Sequence, residues 1–486
     1  MPDDAPLHYQ TIQQVASKIA AGTLSPVALT RAMLERIECI DPLVKSYATV
    51  MREHALAAAA TAEAEIRAGR YRGPLHGVPI AVKDLCYTSG VRTMGGTPVR
   101  KDFVPSFDAT VVAKLAQAGA VLLGKLNLTE GAMAGYHPSF DVPMNPWDRS
   151  RWTGVSSSGS GVATAAGLCF GSLGSDTGGS IRYPSSANGI VGLKPTYGRV
   201  SRHGVLPLAE SLDHVGPMTR SVADAAIIFD VIAGPDSNDP TSLREPIESA
   251  VASLGLGVEG LRIGLDRDYA LTGTDPLAAA AIEAALKLLT DQGARVVEVR
   301  MPDHEGIIPA WLVLCASEAA AAHSANFPSR AAEYGPYFRE FLEFGAAASP
   351  ARLAEARAFR AAFSSRFHLL LEGIDALVCP GGGPQFLTSR ELLCSSMTTI
   401  VEAGLANLAT HEPPLKGHAV FTIPMNFAGT PAIGLPCGFA SNGMPYGIQF
   451  AGPRLSEAVL CRIAQAYESA TTWHLRHPDL DCSDGP

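Results

Sequence analysis

Gly174-Ser-Asp-Thr-Gly-Gly-Ser-Ile-Arg-Tyr-Pro184 sets Asp176, Ser180 and Arg182 around a Thr177-Gly178-Gly179 turn. Adjacent glycines free the backbone to reach positive φ and leave their amide N–H groups bare. A serine directly after such a turn can sit beside several amide donors, which is what acyl transfer asks of a nucleophile and its oxyanion site. By itself the string reads equally well as a loop turn with a capping serine.

Working outward, Gly154-Val-Ser-Ser-Ser-Gly-Ser-Gly161 is built almost entirely of Ser and Gly. It runs straight into Val162-Ala-Thr-Ala-Ala-Gly-Leu168, an apolar segment suited to a buried helix. A flexible linker does not usually abut such a helix, and helix N-termini attract anions and hydroxyls through their free N–H groups. Further upstream, Gly73-Pro-Leu-His-Gly-Val-Pro-Ile-Ala-Val-Lys-Asp84 carries an apolar β-like run, Val78 to Val82, that ends on Lys83. A lysine closing a strand is ordinarily solvated. One that is desolvated has a lowered pKa and can act as a base.

In this order the three elements resemble the amidase signature family. The match runs from Gly154-Val-Ser156-Ser-Ser-Gly159 to Asp176-Thr-Gly-Gly-Ser180-Ile-Arg182-Tyr-Pro184, with Lys83 where the family keeps its base. Weaker resemblance covers most of the chain: Gly124-Lys-Leu-Asn127, Asn145-Pro-Trp-Asp148, Gly192-Leu-Lys-Pro195, Ser211-Leu-Asp213, Gly216-Pro217, Asn426-Phe-Ala-Gly429 and Gly447-Ile-Gln-Phe450. The resemblance implies Ser180 as nucleophile, Ser156 as the serine held by a cis peptide bond, and Lys83 as base. It implies an oxyanion hole at Thr177, Gly178, Gly179 and the Ser180 amide, with Ser157, Asp176 and Arg182 as supporting residues. Met133 by family position, and His418 near the C-terminal element, are candidates for lining the substrate pocket. The serine–lysine chemistry needs no cofactor and no metal.

Elements alternate along the chain. Ser25-Pro26 opens a helix to about Ile40 (cap, then proline in the first turn), and 53–68 is an Ala-rich helix. Strand-like runs at 78–82, 119–123, 190–193, 261–265, 294–299, 375–379 and 446–450 are separated by helical patterns at 110–117, 222–232, 275–292 and 352–371. That alternation predicts an α/β fold with a largely parallel, buried sheet. The resemblance sharpens it to one large domain over 1–486, with a twisted, mixed sheet flanked by helices on both faces. The signature core spans about 73–235, and the poorly matching segment from about 237 to 425 is where substrate choice is expected.

Hydrophobic content of 47% with 17% charge supports an extensive core. A net charge of −9 without a basic run argues against nucleic-acid partners. The nine cysteines form no C-x-x-C pair and sit mostly in apolar contexts, so they read as buried thiols rather than disulfides or zinc ligands. The odd count and the acidic Met1-Pro-Asp-Asp start point to the cytoplasm. Apolar stretches are broken well before a membrane span, as at Glu318. Homodimerisation stays open.

Two patterns read as decoys. Gly119-Ala-Val-Leu-Leu-Gly-Lys125 fits a phosphate loop, but Leu126 stands where Ser or Thr is required. His203, His214 and Asp213 could nominally serve a Ser-His-Asp triad but come without a G-x-S-x-G elbow.

Two functions fit. One is a free-standing hydrolase of a small or medium, apolar or aryl, amide, with esters or carbamates as further substrates. The other is the glutaminase component, the A-type polypeptide, of a glutamyl-tRNA amidotransferase. A glutaminase of that type would hold the glutamine amine with an acid just before a Phe-Thr pair. Here Ala419-Val420 precedes Phe421-Thr422, His418 is the nearest polar residue, and Phe386, Leu387, Leu392, Leu393 and Met397 make the region apolar. The departure favours the hydrolase.

Overall fold

The computed structural model describes residues 5–382, 386–412 and 414–482. Met1 to Asp4, on which the reading of the N-terminus rests, lie outside that range. Eleven strands form one sheet: β1 Tyr47–Val50, β2 Pro79–Lys83, β3 Val121–Leu126, β4 Gly171–Asp176, β5 Val191–Lys194, β6 His214–Thr219, β7 Arg262–Leu265, β8 Arg295–Glu298, β9 Ala376–Gly382, β10 Ala432–Phe439 and β11 Pro445–Ala451. Their order is β1-β3-β2-β4-β6-β5-β10-β11-β9-β7-β8.

The expectation of a largely parallel sheet is corrected. β3-β2-β4 and β9-β7-β8 are parallel wings, whereas the centre, from β4 through β6, β5, β10 and β11 to β9, is antiparallel throughout. The missed strands explain this. β4, β6 and β10 supply the antiparallel centre, and their Gly, Pro and Ser content hides them from a search for apolar runs. β4 is wholly buried although it reads Gly-Ser-Leu-Gly-Ser-Asp. The helix α1 Ser158–Ala165 bonds to it, as Ser160 Oγ donates to Leu173 O at 3.0 Å and Ser172 Oγ to Ser160 O at 3.2 Å. Glycine at 174 lets α1 lie this close, since a Cβ there would stand 2.9 Å from Ser157 Oγ.

The cap expected at Ser25 forms, and Asp275 caps a second helix in the same way. Ser25 Oγ accepts from Ala28 N at 3.1 Å ahead of Pro26, and Asp275 Oδ1 accepts from Leu277 N at 3.0 Å ahead of Pro276. The first of these helices runs past Ile40 and through Pro42 to Val44, because Ile40, Leu43 and Val44 extend its buried stripe.

Cys39 and Cys482 form a disulfide, which corrects the reading of all nine cysteines as thiols. The other seven are free, and all but Cys394 are buried. Partners 443 residues apart could not be paired from spacing. Among the described residues no helix is long and apolar enough to cross a membrane.

Candidate active site

β2 and β4 pair in parallel, with Val82 opposite Leu173, so Lys83 and Asp176 close neighbouring strands at the same edge. Carboxyl ends of parallel strands are where α/β sheets place their sites. Lys83 is fully buried. Its Nζ donates to Ser156 Oγ at 2.7 Å and to Ser157 Oγ and Ser175 Oγ at 2.9 Å each. Burial lowers the lysine pKa to about 7, and the charges of Cys86, Asp213 and Asp176 offset only part of that. A lysine so placed is available as a neutral base near neutral pH.

Ser156 is buried and follows a cis peptide bond, Val155–Ser156. Ser180 lies beyond β4, in the turn leading into the helix α2 Arg182–Asn188, and its carbonyl accepts from the Ser157 amide at 3.4 Å. Three side chains hold this turn. Asp176 Oδ1 accepts from Gly179 N at 2.8 Å, Trp311 Nε1 donates to Thr177 O at 2.9 Å, and Thr422 Oγ1 donates to Gly178 O at 2.6 Å. Gly179 takes φ +128°, which L side chains rarely adopt. Among the described residues no protein acceptor takes the amides of Thr177, Gly178 or Ser180. The Gly179 amide, by contrast, is engaged by Asp176.

Asp176 and Arg182 form a buried pair, with Arg182 Nε 3.0 Å from Oδ2 and an Nη 3.0 Å from Oδ1. Burial alone would raise the Asp176 pKa. The guanidinium, Lys194 and the Asn426 amide hold it well below the carboxylate range instead. The other Nη of Arg182 donates to Gln449 Oε1 at 3.1 Å, and the Nη that faces Asp176 also lies 2.8 Å from Asn426 Oδ1 and 3.0 Å from Thr422 O. Arg182 therefore joins the turn to the C-terminal third of the chain.

Thr177, Gly178, Gly179 and Ser180 border a cavity of about 370 Å³, and so do Met133 and His418. Trp152, Tyr183 and Phe386 make it aromatic: Trp152 stacks on Phe386 at 4.9 Å, and Tyr183 meets Trp152 edge-on at 4.8 Å and His418 at 4.3 Å. Burial lowers the His418 pKa to about 4, so the ring is neutral at physiological pH.

Sequence reasoning did not single out Ser175, Asp213, Trp311, Thr422, Asn426 or Gln449 for the site. Ser175 was readable as the hydroxyl beside Asp176, and Asn426 and Gln449 stand in quoted strings. Trp311 carries no local signal at all. The decoys resolve into structure. Lys125 on β3 is buried, 3.3 Å from Asp84 and donating to Thr93 Oγ1 at 2.6 Å. Asp213 accepts from Thr177 Oγ1 at 2.6 Å and from the Leu208 amide at 2.9 Å. His214 Nδ1 lies between Leu212 O at 2.7 Å and Asp176 O at 3.1 Å, and His203 stacks on Phe107. No triad forms from them.

A family model described as Amidase matches residues 28–461. "Putative amidase AmiD" of Mycobacterium tuberculosis is 44% identical over 470 residues, 96% of each chain. The A-type polypeptide of the glutamyl-tRNA(Gln) amidotransferase of Chloroflexus aggregans is 38% identical over 495 residues, 98% of this chain and 99% of that one. Among solved structures, the peptide amidase of Stenotrophomonas maltophilia is 30% identical with a TM-score of 0.83, covering 98% of this chain and 100% of that one.

Proposed function

This chain belongs to the amidase signature family of amide hydrolases, and from that premise we propose that it is a free-standing hydrolase of small or medium apolar or aryl amides, acting through a Ser180 acyl-enzyme. One observation carries the reading. A buried, neutral-capable Lys83 donates to Ser156 at 2.7 Å beside an aromatic cavity bordered by Ser180.

In this reading neutral Lys83 takes the Ser156 proton, Ser156 takes the Ser180 proton, and Ser180 Oγ bonds to the amide carbon. The amides of Thr177, Gly178 and Ser180 stabilise the developing oxyanion. The proton returns through Ser156 to the nitrogen as the C–N bond breaks. Water then attacks the acyl-enzyme by the same relay in reverse, releasing the carboxylic acid and freeing Ser180. Ser157 and Ser175 orient Lys83, and Asp176 with Arg182 fixes the turn. Met133 and His418 shape the pocket around the substrate.

The 38% identity to an amidotransferase polypeptide supports the second reading, a glutaminase. Against it, Ala419 and Val420 stand just before Phe421, so no acid occupies that position to pair with an α-ammonium group, and Asp275, the acid that borders the cavity, caps the helix that starts at Pro276. Purified protein assayed alone on chromogenic anilides, primary amides and carbamates, and on glutamine with and without amidotransferase partners, separates the two. Turnover of glutamine only, and only with partners, would overturn the hydrolase reading.

A further inference from the structure

Trp311 stands on the helix Ile307–Ala322, 134 residues along the chain from Thr177. Its indole lies against the glycine turn before Ser180. A Cβ on Gly178 would stand 2.7 Å from the ring, so glycine at 178 is what lets the indole come this near. The ring also borders the cavity beside Ser180. Its Nε1 donates to Thr177 O at 2.9 Å, and that oxygen belongs to the same peptide unit as the Gly178 N–H. A trans peptide is planar, with its C=O and N–H pointing in opposite directions, so a donor that fixes the oxygen also aims the hydrogen.

The peptide units of the turn are held in different ways. Gly178–Gly179 is engaged at both ends, since Thr422 Oγ1 donates to its carbonyl at 2.6 Å and its N–H donates to Asp176 Oδ1 at 2.8 Å. That unit has no hydrogen left for a substrate. The others are anchored through their carbonyls. Asp176–Thr177 accepts from Asn426 Nδ2 at 3.0 Å, and Gly179–Ser180 accepts from Tyr183 N at 2.7 Å. Thr177–Gly178 accepts from Trp311, the one protein donor to that oxygen among the described residues. The aim of the Gly178 N–H therefore depends on a single side chain.

We propose that Trp311 is a positioning residue of the oxyanion site: its indole N–H holds the Thr177–Gly178 peptide so that the Gly178 N–H meets the oxyanion formed when Ser180 attacks. The proposal rests on Ser180 being the nucleophile of an amide hydrolase. A donor aimed in advance acts where charge develops, so it favours the transition state over the bound amide. Without the indole N–H the peptide is free to turn, and its amide has to be aimed again during the reaction. Trp311 thereby brings the segment from about 237 to 425, which walls the pocket, into the chemical step. Its ring shapes the cavity, and its N–H sets the rate.

The test separates the N–H from the ring. Trp311→Phe keeps an aromatic wall and removes the donor. Incorporating 3-benzothienylalanine at position 311 keeps the bicyclic ring with sulfur in place of the N–H, and decides the matter should the Phe variant fold poorly. Both proteins should lose about tenfold in kcat on an anilide and on an N-alkyl amide alike, less than the roughly 10²–10³ of deleting an oxyanion donor outright. KM should stay nearly unchanged. A trifluoromethyl ketone analogue of the best amide, which adds Ser180 Oγ to its carbonyl, should bind more weakly by the same factor as the loss in kcat/KM. The pH midpoint of kcat/KM should stay where Lys83 sets it. Unchanged kcat, a rise in KM with kcat intact, a loss of turnover without a matching loss of analogue affinity, or a moved pH midpoint overturns the positioning role. A wild type inactive on every amide would overturn the hydrolase reading and the proposal together, whereas an active wild type with unimpaired variants overturns the proposal alone.

Discussion

Lys83 closes a strand as a solvated lysine would, yet it is fully buried, and the site's chemistry follows from that difference. Ser180→Ala removes the only nucleophile of the relay and Lys83→Ala its base. Because members of such a unit act together, each should lower kcat on the best amide on the order of 10³-fold or more. Near-normal turnover by Ser180→Ala would sink the assignment. With the lysine pKa at about 7, kcat/KM should rise between about pH 6 and 8 and then level off. The sign for stability follows from linkage. Lys83 is depressed from 10.5 to about 7, so between those values the unfolded chain binds more protons. Its burial penalty is complete below about pH 7 and fades as pH rises toward 10.5. An acid activity optimum would count against Lys83 as the base. Breaking the Asp176–Arg182 pair is a test of stability instead. Arg182→Met strands a buried carboxylate and should cost about 3–5 kcal/mol in urea unfolding, and an unchanged midpoint would show that Asp176 is held by other groups.

The helix α3 Met397–Ala409 contributes no buried residue, yet Ile400, Val401, Leu405 and Leu408 along it border the cavity. An element that packs on so little of the core serves the pocket more than the fold. Leu408→Ser should therefore raise KM for long or aryl acyl groups by roughly tenfold, in keeping with the effect of trimming an apolar pocket. It should leave short-chain amides and the melting temperature nearly unchanged. A uniform loss across the acyl series, or a clear drop in melting temperature, would assign the helix a structural role. α2 and the turn before it show the opposite design, with Arg182 and Asp176 tying them to Asn426 and Gln449.

Across the whole molecule the two ends of the chain are joined. Cys39 is bonded to Cys482, Tyr9 stacks on His477 at 3.9 Å, and Tyr9 Oη donates to Pro478 O at 3.1 Å. Closing a loop over nearly the full chain restricts the unfolded state, and such bonds typically contribute about 2–4 kcal/mol. Cys39→Ser, or a reductant, should lower the unfolding midpoint while kcat holds, since neither cysteine borders the cavity beside Ser180. An unchanged midpoint under reductant would mean that the tail is held by its other contacts.

Local chemistry determined much of this protein in advance. The cap at Ser25, the apolar strand ending on Lys83, and the glycine turn before Ser180 are written in neighbouring residues, because propensity and periodicity act over a few positions. The chain order of Lys83, Ser156 and Ser180 was legible for the same reason. What the tertiary structure decided are the long-range facts. The antiparallel centre came from strands whose Gly, Ser and Pro content carries no apolar period, since a sheet buried on both faces accepts small residues wherever a helix presses against it. The partners of the turn, Trp311, Thr422, Asn426 and Gln449, lie far along the chain, and no local rule ties them to Gly178 or Arg182. The pairing of Cys39 with Cys482 was beyond spacing as well. Desolvation of Lys83 belongs to this second class, because a strand-end lysine loses its water only when the rest of the molecule closes around it.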